Sequence, residues 1–173
     1  MVKWVNDDGL LVRFGLDQAV VAPSGVVSVK GMEQELVINI KAVDITDVDV
    51  AALVYEEAGL PQKAQIIRAD LYVTAAFTSA GVPTLDLGLW HDDGDGTFTV
   101  DDVDGFDVDI ALTALDSVGA TVALDGAYVD GTDDVVPNNI AGRDLYFSAG
   151  YQTIDKYTAG AAIVVIKYIP ITD

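Results

Sequence analysis

Residues 66–77 read Ile-Ile-Arg-Ala-Asp-Leu-Tyr-Val-Thr-Ala-Ala-Phe, and Ile67, Ala69, Leu71, Val73, Ala75 and Phe77 alternate there with Arg68, Asp70, Tyr72 and Thr74. A period of two is that of a strand with one face in a core and the other in water. The same pattern recurs at 36–43, where Leu36, Ile38, Ile40 and Ala42 share a face and Asn39 and Lys41 take the other. It recurs again where Leu85, Leu87 and Leu89 alternate with Thr84, Asp86 and Gly88. Between the first and third of these runs, Ser-Ala-Gly-Val-Pro (79–83) supplies turn formers, so the spacing predicts a hairpin joining two antiparallel neighbours. Shorter runs at 10–14, 18–21, 26–30, 121–124, 127–129 (across the Asp125-Gly126 turn) and 145–151 add strands.

The run 161–169 is apolar on both faces, with Ile163 and Val165 opposite Val164 and Ile166, which predicts a central strand or one whose second face meets another subunit. About eight to ten short strands separated by Asp and Gly turns make the expected fold all-β, a β-sandwich or jelly roll. One or two short helices are expected beside them. Residues 47–58 have Thr46 as a cap and Gly59 and Pro61 as a stop, and in 106–115 Phe106, Ile110, Ala114 and Leu115 share a helical face, while Phe106, Val108, Ile110 and Leu112 also alternate as a strand would. The Gly-rich first 30 residues read as an N-terminal arm, and 31–173 as one sandwich domain, a size that can bury its own core.

Charge narrows the partners. Nine Lys and Arg stand against 28 Asp and Glu, a net charge of −19, and 24 of the acids are Asp, a loop former where Glu would favour helix. Between Arg68 and Arg143 there are fifteen Asp and no base. Such a surface is repelled by phosphate backbones and anionic lipid, so neither nucleic acid nor membrane is expected as a partner. No apolar run approaches a membrane span, and Met-Val-Lys-Trp-Val-Asn-Asp-Asp-Gly-Leu (1–10) lacks the apolar segment of a signal peptide.

Catalysis finds little to build on. The chain has no cysteine and one histidine, His91, which excludes thiolate and two-histidine metal sites. No nucleophile elbow or phosphate-cradling glycine loop follows a strand, and no enzyme activity is expected. The one stretch with metal logic is 90–104. There Asp93, Asp95, a carbonyl near Thr97, and Asp101 or Asp102 lie on a Gly-relaxed loop of the kind that supplies oxygens to Ca²⁺. Aligned on Gly96, the loop fails the EF-hand pattern at both ends, with His91 first and Asp102 last, and its competing reading is a solvated hairpin tip. Ca²⁺ is therefore the one cofactor to test, and Asp130, Asp133 and Asp134 form a weaker acidic turn.

The segments 64–78, 84–90, 103–115 and 120–126, taken in order, resemble the β-sandwich decoration or cement proteins of tailed-phage capsids, a likeness of texture and order that covers roughly residues 60 to 130. The resemblance implies a non-enzymatic virion protein on the outer capsid surface, often a homotrimer, that ties together neighbouring subunits of the major capsid protein lattice. It carries no catalytic signature and assigns no contact residues. The residues themselves offer Lys3, Trp4 and Arg13 on the arm, and Ile163 and Val165 on the two-sided strand, as interface candidates. The alternative reading is a calcium-dependent carbohydrate-binding or adhesion module.

Overall fold

The computed structural model describes residues 2–5, 11–14, 24–27, 33–47, 53–61, 64–95, 97–129, 145–152 and 156–170. Twelve strands are placed among them: β1 (Val2–Val5), β2 (Leu11–Phe14), β3 (Ser24–Val27), β4 (Gln34–Lys41), β5 (Thr46–Asp47), β6 (Leu53–Leu60), β7 (Ala64–Ser79), β8 (Thr84–Asp92), β9 (Phe98–Ala111), β10 (Thr121–Ala123), β11 (Leu145–Gln152) and β12 (Tyr157–Pro170). A 3-10 turn at Ala42–Asp44 and one four-residue helix, α1 (Leu112–Leu115), are the helical elements described. The first sheet runs β10-β7-β12-β4-β3 and the second β5-β11-β8-β9, with β6 also paired to β11. The fold is an all-β sandwich.

The alternating runs build the interface between the sheets. Leu36, Ile38 and Ile40 of β4, Leu71 and Val73 of β7, Leu85, Leu87 and Leu89 of β8, and Val164 and Ile166 of β12 are all buried. Phe147 of β11 lies between Tyr55 and Phe106, with ring centroids 5.8 and 5.7 Å away. β12 is central, antiparallel to β7 on one edge and β4 on the other. Its inner face is buried, whereas Ile163 and Val165 are half-buried on the outer face.

Several expectations are corrected. In β7 the register against β12 shifts between Lys167 and Tyr168, so Ile66 turns into the core and Ile67 is exposed. The run 79–83 does not close a hairpin, because β7 and β8 belong to different sheets. It is a corner between layers, held where the Tyr157 hydroxyl reaches the Pro83 carbonyl. The Asp125-Gly126 turn is likewise a crossing. Leu124 N–H donates to Ala69 of the first sheet, while Gly126 and Tyr128 N–H donate to Phe106 and Gly105 of the second, closing the sandwich along that side.

Residues 53–60 form a strand on β11 and not a helix, because pairing to a strand far away in sequence outweighs local caps, and 48–52 lie outside the described residues. Of the two readings open for 106–115, the strand holds for 106–111, which continue β9, and the helix is confined to Leu112–Leu115. In the arm region β1 and β2 make a two-stranded sheet of their own, Lys3 opposite Arg13 and Trp4 opposite Val12, while β3 joins the first sheet beside β4.

Candidate functional site

The hairpin between β8 and β9 holds the residues with calcium logic, and local hydrogen bonds engage each of them. Asp93 N–H donates to the Thr97 carbonyl at 2.8 Å. The Asp93 carboxylate accepts from Thr99 Oγ1 and lies 3.4 Å from His91 Nε2. Asp95 Oδ1 accepts the Thr97 N–H at 2.9 Å, a bond that holds its carboxyl below the usual range. Asp101 Oδ2 pairs with His91 Nδ1 at 2.9 Å, and Asp102 Oδ1 accepts from Asp104 N–H. Among the described residues no three acidic or histidine side chains come together as a metal-ligand group. Asp130, Asp133 and Asp134, like Gly96, lie outside the described residues. We expect millimolar Ca²⁺ to leave the melting temperature where Mg²⁺ at equal ionic strength leaves it. A Ca²⁺-specific rise that disappears in the double variant Asp93→Asn, Asp95→Asn would establish the site instead.

A second acidic group was not legible as such. β9 pairs Asp102 with Leu89 and Asp107 with Leu87, so residues 103–106 stand against the single Gly88. The extra chain folds down onto β8: a Cβ at Gly88 would lie 2.1 Å from the Asp102 carbonyl oxygen and 2.4 Å from the Val103 carbonyl carbon. Beneath this bulge Asp86 is fully buried, its Oδ1 accepting the Asp109 N–H at 2.8 Å. Asp109 sits at φ 56°, a left-handed geometry that Asp tolerates, and accepts from Thr84 Oγ1.

The crowding raises two carboxyls. Asp104 is pushed up to about 6, first by its side-chain hydrogen bond to Asp102, then by burial and by the charges of Asp102 and Asp86. Asp107 is pushed up to about 6 by burial first, with Asp125 and Asp86 adding to it, against the opposing effect of N–H bonds from Val108 and Asp125. Both groups exchange protons close to neutral pH. Alternation along β8 puts Asp86 on the solvent side, and the bulge in β9 covers it.

The two sheets differ in charge. Among the described side chains every base, Lys41, Arg68, Lys156 and Lys167, belongs to the first sheet or the approach to β12. β8, β9 and their hairpin carry Asp86, Asp92, Asp93, Asp95, Asp101, Asp102, Asp104, Asp107 and Asp109. On the outer face of the first sheet the cross-strand rows are Glu35–Lys167–Arg68, Val37–Val165–Asp70 and Asn39–Ile163–Tyr72. Arg68 pairs with the buried carboxylate of Asp70, and Lys167 lies 3.9 Å from Glu33. This face is near balance in charge and keeps an apolar stripe, in which Tyr72 is 39 % exposed. No protein-family model, curated protein or solved structure matches the chain.

Proposed function

We propose that the protein is a structural component of a tailed-phage virion, which decorates and stabilises the outer surface of the capsid as a homotrimer. The observation that carries the reading is the division of charge between the two sheets. Identical chains of this net charge repel one another wherever Asp-rich surface meets Asp-rich surface, so copies associate through the balanced face of the first sheet. That face presents Ile163, Val165 and Tyr72 as its apolar centre. The Asp-rich sheet is then left to face solvent, where its charge keeps particles apart. The hairpin β1–β2, which bears Lys3, Trp4 and Arg13 and pairs outside both main sheets, supplies the contact with the major capsid protein lattice.

The test is rebinding to capsids stripped of surface proteins, with mass spectrometry of purified virions as the first check. Full-length protein is expected to co-sediment with the shells and deletion of residues 1–15 to release it. The Ile163→Asp variant is expected to sediment as a monomer. Binding that persists without the hairpin would overturn the docking route. Failure of the intact protein to bind shells at all would overturn the virion reading, and glycan binding lost on chelation would then favour a calcium-dependent adhesion module.

A further inference from the structure

Six Asp-Gly steps occur in the sequence, and three of them, Asp93-Gly94, Asp104-Gly105 and Asp125-Gly126, lie wholly among the described residues. At such a step a chain can rearrange on itself, because the unshielded glycine nitrogen is able to reach the carboxyl carbon one residue back. The structure treats the three steps differently. Gly126 N–H donates to the Phe106 carbonyl at 2.8 Å, and a Cβ at Gly126 would run into the backbone of 105–107. Gly105 is buried, its carbonyl accepts the Tyr128 N–H at 2.9 Å, and the Tyr128 ring lies where a Cβ would go. Turning either peptide plane to bring nitrogen to carboxyl would break the crossing that closes the sandwich. Gly94, by contrast, is exposed at φ 87°, and a Cβ there would meet nothing within 4 Å among the described residues.

The groups around Asp93 also supply the parts of the reaction. Gly94 N–H, the nucleophile, donates to Asp92 Oδ1 at 2.7 Å, so a carboxylate is in place to take its proton. Asp93 Oδ2 accepts from Thr99 Oγ1, a bond that draws electron density from the carboxyl carbon. Asp93 Oδ1 lies 3.4 Å from His91 Nε2. When Asp93 is in its protonated form, the Gly94 nitrogen bonds to Cγ and the amide proton passes through Asp92 to the carboxyl hydroxyl. That hydroxyl departs as water and leaves a five-membered imide. Water then adds at the former main-chain carbonyl carbon of Asp93, and the C–N bond there breaks. The main chain now runs through Cβ and Cγ, with a new carboxylate on Cα, which is isoaspartate. Water is released in the first step and taken up in the second, and nothing is oxidised or reduced.

We propose that Asp93-Gly94 is a self-modification site, at which the folded hairpin converts Asp93 to isoaspartate with Asp92 as the proton acceptor. The product belongs to the substrate class of isoaspartate-specific methyltransferases, which esterify the carboxylate on Cα. The experiment incubates the full chain at neutral pH, folded and in denaturant, and follows each step by peptide mass spectrometry. The imide is read as the loss of one water, and isoaspartate as the failure of an Asp-specific endoproteinase to cleave before it. In the folded chain Asp93 is expected to rearrange at least about tenfold faster than Asp104 and Asp125, whereas in denaturant the three steps should react at closely similar rates. Asp92→Asn keeps an oxygen to hold the Gly94 N–H but removes the base. It should slow the reaction at Asp93 about tenfold in the folded chain and leave the rate in denaturant unchanged. Equal rates at the three steps in the folded chain, no product at Asp93, or a folded-state rate indifferent to Asp92→Asn would overturn the proposal.

Discussion

Gly88→Ala is expected to lower the stability of the sandwich by about 3 kcal/mol, the upper end of what overpacking a closed core costs. The added methyl would meet the Asp102 carbonyl oxygen at 2.1 Å and the Val103 carbonyl carbon and oxygen at 2.4 and 2.5 Å. These are backbone atoms, which no rotamer change can move aside. To admit it, the bulge of β9 must lift off β8, which strips the cover from Asp86 and loosens the strand that holds Phe106 against Phe147. For a chain of this length the loss corresponds to roughly 6–12 °C in melting temperature. Gly59→Ala is the internal control: a Cβ there would come no nearer than 3.8 Å to Tyr146, and the change is expected to stay within about 0.5 kcal/mol. Equal melting temperatures for the two variants would mean that the bulge does not press on β8.

What a sequence reveals of such a fold depends on whether a residue's fate is set by its neighbours in the chain. Leu36, Ile38 and Ile40, and Leu85, Leu87 and Leu89, lie in regular stretches of strand, so period-two alternation alone puts them in the core. Ile66 and Ile67 exchange places because a register shift against β12 inserts an irregularity that no local pattern encodes. Residues 79–83 carry the chemistry of a turn, yet turn chemistry does not say whether the next strand pairs with the last or crosses to the other layer. The helix expected over 47–58 rests on Thr46 and Gly59, whereas 53–60 are held by β11 from across about half of the chain length. The acidic residues divide the same way. Asp95 is legible as a turn residue because its bond to Thr97 is local. Asp86, Asp104 and Asp107 come together only through the bulge.

Acid is expected to stabilise this protein between pH 7 and about 4.5. The folded state holds Asp104 and Asp107 at about 6, above the ordinary carboxylate value of 3.8, so between those limits the native chain binds more protons than the unfolded one. Stability must then fall as pH rises through that window and level off above it. The penalty at pH 7 comes from ionising carboxyls that are buried or hydrogen-bonded to one another; because part of the cluster is solvated, roughly 1–2 kcal/mol for both groups together is expected. Asp95, with its carboxyl lowered, acts in the opposite sense, its stabilisation being lost only as pH falls through its depressed value. General repulsion in a chain of net charge −19 is also relieved by acid, so the slope alone does not identify its source. Asp107→Asn does, since the amide oxygen still accepts the Val108 N–H while the ionisation is removed. That variant should gain about 1 kcal/mol at pH 7 and show a flatter profile, whereas Asp116→Asn, which removes the same charge from an exposed turn, should keep the wild-type slope. Melting temperatures across pH 4.5–7 that move in parallel for the two variants would assign the effect to net charge and not to the carboxyls beneath the bulge.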